Sequence, residues 1–428
     1  MKEFPKVLVF SNNCFSKSDS NGRTLGNFFV GWPKDKLAQF YIQSVDPDFG
    51  YCSNYYRVTD SQALRSIYST GRGGRVKPKR EGEITLSNTM YSSVKSRKRN
   101  ASTMLARDVV WSLKRWMNKD YKKWVMDFCP EIVLLQAGDC PFMFELAIKT
   151  AKTYNAKLVI YNTEGYYFKD FDYFRNTSIA HMIYPLFYKR LRSIIKRAYN
   201  QADYAIFNCA SLYDDFVREF AIPSEIIYTA SELTNGNKEK KKVTNQFVVS
   251  YAGNLGVGRH QSLIEIGNAL QEIGQNYYLD IYGTIPNESI RKAFNDCKGI
   301  RFHGRIDYNQ VQAVTRNSDL LIHVESFEAY YRKDLKYAFS TKIADCLASN
   351  RCFLIYAPTD YAETQYLMQN DAAYIVTTNE ELVETLKQLI ENPDSRDKYL
   401  ERALMLSNRN HDQENSVRKF QKILCSLI

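Results

Sequence analysis

The sequence lacks the cysteine and histidine patterns that hold many small folds together. Its nine cysteines and five histidines are scattered along 428 residues, without a Cys-x-x-Cys pair or a cysteine–histidine cluster. The sequence therefore predicts neither a disulfide framework nor a structural zinc site. We expect the cysteines to be reduced and mostly to fill the core.

Long apolar runs are also missing. No run approaches the roughly 18 to 20 residues that a helix needs to cross a bilayer. The apolar run at residues 6–10 is too short for the core of a signal peptide, so we expect a cytoplasmic protein. The phosphate loop of nucleotide hydrolases and the G-x-G-x-x-G fingerprint of dinucleotide-binding proteins are absent as well.

The composition is that of a globular protein with an acidic partner. Hydrophobic residues make up 44% and charged residues 25% of the sequence, which has no low-complexity tract. A chain of this length most readily forms two domains. The net charge of +11 calls for an acidic partner, for which nucleic acid, anionic lipid and phosphorylated small molecules all qualify.

Much of the positive charge lies in one segment of the first half. A solvated basic loop and a binding surface would look the same in this segment. Its cations are Arg72, Arg75, Lys77, Lys79, Arg80, Lys95, Arg97, Lys98 and Arg99.

Short β-branched apolar runs alternate with helical stretches along the whole chain, which predicts parallel sheets covered by helices. The predicted strands are residues 6–10, 132–136, 157–161, 204–208, 247–251, 278–282, 300–303, 320–324, 352–356 and 373–376. The polar, aperiodic stretch near residue 240 predicts a linker. The predicted parts are a first domain (1–235), a linker (236–246), a second domain (247–410) and a C-terminal helix (411–428) that packs back on the first domain.

A candidate phosphate site lies where a loop becomes a helix after residue 339. Ser340, Thr341 and Lys342 would bring unpaired backbone N–H groups, two hydroxyls and an ammonium to one helix start. Asp345 follows about one turn later, so a carboxylate and a cation share one helix face. Ribose hydroxyls and a diphosphate, the groups of a nucleotide sugar, match this arrangement.

Further polar residues follow other predicted strands of the second domain. Gly253, Asn254 and Arg259 form a glycine-rich turn, in which backbone amides can approach a pyrophosphate and the guanidinium adds charge. Many α/β turns use glycine without binding a ligand. Gly283, Arg305 and Glu325 also follow strands, and the ends of parallel strands surround the ligands of such sheets. These three residues therefore complete the candidate donor-binding set of the second domain.

These motifs resemble the C-terminal domain of GT-B fold glycosyltransferases, in particular the retaining, family 4-like enzymes of bacterial capsule and lipopolysaccharide synthesis. The resemblance covers roughly residues 247–395. It implies two Rossmann-like domains facing a central cleft. It also implies transfer of a sugar from a nucleotide-diphosphate donor to a growing polysaccharide or a lipid-linked saccharide, with retention and without a metal or other cofactor.

The resemblance assigns roles to single residues. It implies that Arg259 and Lys342 bind the diphosphate and stabilise the leaving group, and that Asp345 binds the ribose. Two departures stand out, because Asp345 is shorter than the usual glutamate and the usual pair of glutamates at fixed spacing is absent. Glu325 could replace the missing sugar-facing glutamate. We expect donor-sugar specificity to lie in the loop at residues 327–339.

The first half resembles the acceptor domain of these enzymes more loosely. We expect Gly22 and Thr24, in a polar loop after the first strand, to approach the donor phosphate. Glu164 follows another strand, where relatives often have a histidine-containing loop near the reacting sugar carbon. Its carboxylate could orient or deprotonate an acceptor hydroxyl, although the departing diphosphate is itself a plausible base.

The stretch at residues 183–202 interleaves apolar and basic side chains, as does the basic segment before it. This pattern is suited to an anionic membrane face and to a polyprenyl-diphosphate-linked acceptor. An amphipathic core helix explains it equally well. The alternatives to a glycosyltransferase are a nucleotide-sugar-modifying enzyme of the epimerase type, a basic nucleic-acid-binding protein and an inactive scaffold of the same fold.

Overall fold

The computed structural model describes residues 3–17, 20–69, 73–78, 99–175, 180–233 and 246–428. The chain divides into two units, the first formed by Met1–Ile227 with Val417–Ile428 and the second by Tyr228–Ser416. Of the predicted linker, residues 236–245 lie outside the described residues.

The first unit contains an eight-stranded sheet in the order β4-β3-β2-β1-β5-β6-β7-β8. Its strands are β1 Val7–Ser11, β2 Leu37–Tyr41, β3 Asn54–Arg57, β4 Gly74–Val76, β5 Ile132–Gln136, β6 Lys157–Asn162, β7 Tyr204–Phe207 and β8 Ser224–Ile226. Only β4 runs antiparallel to its neighbour. Every residue of the central strand β1 is buried, because helices cover both faces of a parallel sheet.

Seven helices accompany this sheet in the described ranges. They are α1 Ser20–Asn27, α2 Asp60–Arg65, α3 Ala101–Ser112, α4 Lys119–Phe128, α5 Pro141–Tyr154, α6 Ala180–Tyr199 and α7 Ala210–Phe220. The chain end also contributes to this core, since Phe420 stacks on Phe28 with ring centroids 4.7 Å apart. In the part of the chain that the structure describes, no helix combines the length and apolar character needed to span a membrane.

The second unit contains a six-stranded, fully parallel sheet in the order β11-β10-β9-β12-β13-β14. Its strands are β9 Val249–Ala252, β10 Leu279–Tyr282, β11 Ile300–Gly304, β12 Leu320–Val324, β13 Cys352–Tyr356 and β14 Tyr374–Val376. The strand order reverses between β9 and β12. The loops after these two strands therefore flank the position where open α/β sheets bind ligands.

Helices connect and cover these strands. They are α8 Arg259–Ile273, α9 Glu288–Asp296, α10 Tyr308–Asn317, α11 Ala329–Leu335, α12 Lys342–Ala348, α13 Ala362–Asn370, α14 Asn379–Glu391, α15 Pro393–Arg396 and α16 Leu400–Asn410. The last helix, α17 Gln413–Ser426, begins in the second unit and ends in the first.

The polar loop predicted around Gly22 and Thr24 is wrong, because both residues lie in α1. The two glycines of this segment obscure the helical spacing of its apolar residues in the sequence. Leu25, Phe28 and Phe29 are spaced as one face of that helix and the turn that follows it, and all three are buried. Burying them stabilises the helix despite the glycines.

Four strands of the first unit were not predicted, namely β2, β3, β4 and β8. The strand β2 contains the buried polar residue Gln39, which breaks the apolar run. Its side-chain amide donates to Ser11 Oγ at 2.8 Å and its carbonyl accepts from Phe15 N at 2.9 Å. A fully bonded glutamine can be buried, but the sequence does not show where its partners lie.

The basic segment of the first half is described only in part. Residues 70–72 and 79–98 lie outside the described residues, and with them Arg72, Lys79, Arg80, Lys95, Arg97 and Lys98. Arg75 lies 3.5 Å from Asp120 and 3.4 Å from Asp127. Arg99 is paired with the buried Asp139.

Candidate active site

The turn between β9 and α8 brings a cation to the reversal point of the second sheet. Val257 and Gly258 both have left-handed backbone angles, with φ of 52° and 79°. A Cβ atom on Gly258 would lie 2.3 Å from Ser326 Oγ, so only glycine fits between this turn and the loop after β12. Arg259 is the first residue of α8 and projects from this fixed turn.

Arg259 is paired with Glu325, the first residue after β12. Its Nε lies 3.0 Å from Glu325 Oε1, and its Nη2 donates to the same oxygen. The Glu325 side chain is 1% exposed and that of Arg259 is 12% exposed. Burial alone would lower the pKa of Arg259, but the neighbouring carboxylate raises it. The guanidinium of Arg259 is therefore charged.

Within the described residues, Glu325 Oε2 is buried and has no hydrogen-bond partner. An unpaired buried acceptor destabilises a fold by about 1–3 kcal/mol. A hydroxyl group that reached this oxygen would remove that penalty.

Two further buried residues extend this ion pair. His323 lies on β12 and Glu363 in the first turn of α13, and His323 Nε2 lies 2.7 Å from Glu363 Oε1 and 3.6 Å from Glu325 Oε1. Burial would lower the pKa of His323, but the two carboxylates raise it to about 9. Burial likewise opposes ionisation of Glu363, while His323 lowers the pKa of that carboxyl. At neutral pH the pair is an imidazolium and a carboxylate.

The coordinating atoms of His323, Glu325 and Glu363 lie within 4.8 Å of one another, so the residues could in principle hold a metal ion. Arg259 and the imidazolium already balance the two carboxylates, however. A divalent cation beside the guanidinium would add unbalanced positive charge to a buried site. The three residues therefore fit a shared proton better than a metal, and a metal-independent reaction stays a prediction.

The predicted phosphate residues lie where the loop after β12 ends. The helix α12 begins at Lys342, and the N–H of Ser340 donates to Glu363 Oε2 at 3.0 Å. Thr341 occupies the cap position without a side-chain capping bond. Lys342 is half-buried and, within the described residues, has no salt-bridge partner within 4.0 Å. Its pKa is lowered by burial and by the charge of Arg259, so a bound anion would stabilise both cations.

Asp345 lies one turn after Lys342, as predicted, but its carboxylate is held within the unit. Its Oδ1 accepts from Ser231 Oγ at 2.6 Å and from Tyr308 OH at 3.2 Å. With Lys342 and His323 it lines a cavity of about 30 Å³. Such a cavity holds about two water molecules and is far too small for a nucleotide.

The other predicted donor-site residues of this unit lie at the ends of β9, β10 and β11. The Gly253 N–H donates to Tyr282 O, and the Gly283 N–H donates to Gly304 O, both at 2.9 Å. These two amides therefore bond to backbone carbonyl groups at the ends of neighbouring strands. Asn254 accepts from the Gly256 N–H at 2.9 Å. Arg305 follows β11 and is exposed.

In the first unit, the predicted residues follow two different strands. A Cβ atom on Gly22 would lie 2.2 Å from Cys14 O, so glycine is required there for packing. Thr24 is half-buried on α1. The side chain of Glu164 is 49% exposed, and its Oε2 lies 3.9 Å from the Nζ of the buried Lys169.

Sequence reasoning missed the partners of the predicted residues, namely His323, Glu363, Ser231 and Tyr308. One signal was present for Glu363, because an acid in the first helical turn after a parallel strand lies at the ligand-binding edge. His323 sits inside an apolar strand run, where a histidine ordinarily indicates a core position. The contact between Ser231 and Asp345 joins residues 114 positions apart, and no local pattern reveals it.

Comparisons with known proteins agree with this architecture. A family model described as glycosyl transferase-like matches residues 265–422. HepE of Anabaena, solved with UDP-glucose, is 11% identical and superposes with a TM-score of 0.62, covering 99% of this chain and 100% of its own. A search of curated proteins found no match.

Other solved structures show the same likeness. Sucrose-phosphate synthase of Thermosynechococcus elongatus is 11% identical with a TM-score of 0.62, and the alignment covers 98% of both chains. WaaG, a glycosyltransferase involved in lipopolysaccharide biosynthesis, is 10% identical with a TM-score of 0.56, covering 98% of this chain and 99% of its own.

These likenesses confirm the predicted fold class and the predicted resemblance. The family-model match over residues 265–422 favours the glycosyltransferase prediction over the epimerase-type and nucleic-acid-binding alternatives. This chain has the GT-B fold of glycosyltransferases, and residues 265–422 of it match the glycosyl transferase-like family.

Proposed function

We propose that this protein transfers a sugar from a nucleotide-diphosphate sugar to a saccharide acceptor. The observation that carries the proposal is the pair of neighbouring cations at the reversal point of the second sheet. Arg259 begins α8 and Lys342 begins α12, and the pKa of Lys342 is lowered by burial and then by the charge of Arg259. Two cations that repel each other at helix starts form a site for a polyanion.

The chemistry follows from where charge develops. As the bond between the sugar and the diphosphate breaks, the leaving group gains negative charge, which Arg259 and Lys342 would stabilise. The buried, unpaired Oε2 of Glu325 would accept a hydrogen bond from a hydroxyl of the donor sugar. Ser340 and Thr341 would contact the phosphates. The ribose contact of Asp345 stays a prediction from the sequence, because its Oδ1 accepts from Ser231 and Tyr308 in this structure. Retention, with the leaving diphosphate as base, needs no protein nucleophile.

The residues of the first unit have two different roles in this proposal. Glu164, with a half-exposed carboxylate after β6, would orient the acceptor hydroxyl. Gly22 and Thr24 on α1 remain predicted donor-phosphate contacts. HepE was solved with UDP-glucose, so uridine diphosphate sugars are the first donors to test.

A nucleotide panel tests the proposed donor class. Ligands that bind only the folded state raise its melting temperature, so thermal shifts with UDP, GDP, ADP and CMP sugars identify the donor. Radiolabelled sugar transfer to saccharide and lipid-linked acceptors then measures activity. Tight, salt-dependent binding of RNA or DNA, without binding of any nucleotide sugar, would contradict the proposal.

We also propose that the acceptor is lipid-linked and that α6 contacts the inner face of the plasma membrane. The helix contains five cations and no acid. Met182 and Leu186 are 78% and 62% exposed at its start, and Lys189 and Arg192 continue the exposed face. Exposed apolar side chains beside exposed cations match an anionic bilayer surface.

Vesicle flotation tests this contact. Vesicles with anionic lipid should carry the protein at low salt, and binding should fall as salt increases. Replacing both Met182 and Leu186 by serine should weaken flotation, whereas the same change at the exposed Met405 of the second unit should not. A wild-type protein that does not float at low salt would contradict the membrane contact.

A further inference from the structure

The start of α13 holds the loop that leads from β12 to α12. Four consecutive residues each bond a different point of this loop, so the loop is fixed along its length. The contacts are Asp360 Oδ2 with Arg332 Nε at 2.9 Å, Tyr361 OH with Ser326 O at 2.8 Å, Ala362 N with Lys336 O at 3.0 Å, and Glu363 Oε2 with Ser340 N at 3.0 Å.

Glu363 differs from its neighbours because both of its oxygens are used. Its Oε2 accepts from the Ser340 N–H, two residues before Lys342, and its Oε1 accepts from His323 Nε2 at 2.7 Å. The side chain is fully buried. A buried carboxylate with two fixed donors has little freedom to move, so it ties α12 to the end of β12.

Charged groups surround His323 on several elements. Glu325 follows its own strand, Glu363 lies on α13, and Arg259 on α8 neutralises Glu325. From α12, Lys342, Asp345 and Cys346 line the same small cavity, whereas α10 contributes Val311, Val314 and Thr315. Among these groups, Glu363 is the carboxylate closest to the imidazole.

We infer that Glu363 is a positioning residue of the donor site, whose carboxylate fixes the start of the helix that carries Lys342 and fixes the imidazole of His323. The inference rests on the proposed function. Glu363 touches no donor atom in this account. It acts through the Ser340 amide and through His323, which adds a third positive charge beside Arg259 and Lys342.

The test compares Glu363→Gln with wild type by calorimetric titration of UDP between pH 6 and pH 8. Glutamine fills the same space and keeps an acceptor for Ser340, but it removes the charge that holds the proton on His323. The variant should therefore lose this cation as the pH rises. The ratio of the variant Kd to the wild-type Kd should increase by roughly tenfold over this range. Using the ratio cancels the ionisation of the phosphate itself.

Further variants separate positioning from general damage. Glu363→Asp keeps the charge but is too short to reach both donors, so its Kd ratio should be raised at every pH. For the double variant Glu363→Gln/His323→Asn, the Kd ratio relative to the single variant His323→Asn should not change with pH, because the titrating imidazole is absent from both proteins. The exposed Glu384 provides the control, and Glu384→Gln should match wild type throughout.

Several results would overturn the inference. A Kd ratio near one for Glu363→Gln, or a ratio raised equally at all pH values, would leave Glu363 with only a structural role. Wild-type binding that EDTA abolishes and Mn²⁺ or Zn²⁺ restores would make His323, Glu325 and Glu363 a metal site. Wild-type protein that binds no nucleotide of the panel would overturn the proposed function and this inference together.

Discussion

The two units hold their candidate residues in different ways. In the second unit, Arg259, Glu325 and Lys342 are partly or wholly buried and joined in one electrostatic network. In the first unit, the side chain of Glu164 is half exposed, and Gly22 is required for packing against Cys14 O. Charges that are buried together must be matched, so their positions constrain one another, whereas burial places little constraint on the half-exposed carboxylate of Glu164.

The difference between the two units should have its largest effect on the stability of substituted proteins. Arg259→Ala would leave Glu325 buried without its main partner, and breaking a buried pair destabilises a fold by about 3–5 kcal/mol. Glu164→Gln removes a half-exposed charge and should change stability by less than about 0.5 kcal/mol. Thermal melts of both variants, followed by circular dichroism, measure the contrast. Equal melting temperatures for the two variants would contradict this contrast between the units.

Two buried histidines of the second unit should determine how its stability changes with pH. His411 donates from Nδ1 to Thr229 O at 2.7 Å, and Tyr366 OH lies 2.9 Å from its Nε2. Burial lowers its pKa to about 4, so its neutral form is favoured. The stability that it contributes is present above pH 6.5 and is lost as the pH falls towards 4.

His323 should have the opposite effect. Its pKa is raised to about 9, so its contribution is full below pH 6.5 and is lost as the pH rises through 9. Each shift corresponds to roughly 3 kcal/mol at most. Melting temperatures between pH 4 and pH 10 should therefore fall on both sides of neutrality. His411→Gln should flatten the acid side alone, and unchanged profiles in this variant would contradict the assignment.

Loss of the Lys342 side chain should lower kcat by about two orders of magnitude. Lys342→Ala removes one of the two charges that stabilise the leaving diphosphate, and loss of one such group typically lowers kcat about 10²–10³-fold. Sugar transfer from the donor found in the nucleotide panel measures the effect. The exposed Lys387 serves as the matched control, because Lys387→Ala removes the same charge from the surface of α14. Equal rates for the two variants would exclude leaving-group stabilisation by Lys342.

The smallest effect should come from Glu164. If the leaving diphosphate is the base and Glu164 only orients the acceptor, Glu164→Gln should lower transfer by about tenfold or less. Donor binding, measured by calorimetry, should stay at the wild-type value. A weakened donor Kd in this variant would show that Glu164 serves the donor and would remove the proposed division of roles.

The sequence predicted the second unit better than the first for a physical reason. The strands β12 and β13 are apolar runs between helices, and both were predicted with their observed bounds. Lys342 and Asp345 could be placed on one helix face because both lie within one turn. In the first unit, glycines in α1 and the buried Gln39 in β2 obscured the local periodicity, and only tertiary packing decides such segments.

Long-range contacts account for what could not be predicted of the site. Glu325 was predicted as a donor-site residue at a strand end, but its pairing with Arg259, which joins residues 66 positions apart, was not predicted. The bond from Ser340 N to Glu363 spans 23 positions. Contacts between residues so far apart in the sequence produce no periodic pattern that could predict them. The sequence showed which residues carry charge at strand ends, and the fold shows which of them neutralise one another.

The most direct test of the donor site compares UDP with uridine, which lacks the diphosphate. Calorimetry with wild type and Lys342→Ala measures the contribution of this cation to phosphate binding alone. We predict that the variant binds UDP at least about tenfold more weakly, the effect of one charged hydrogen bond of about 1.5 kcal/mol, and binds uridine as wild type does. Equal affinity of both proteins for UDP would contradict the account.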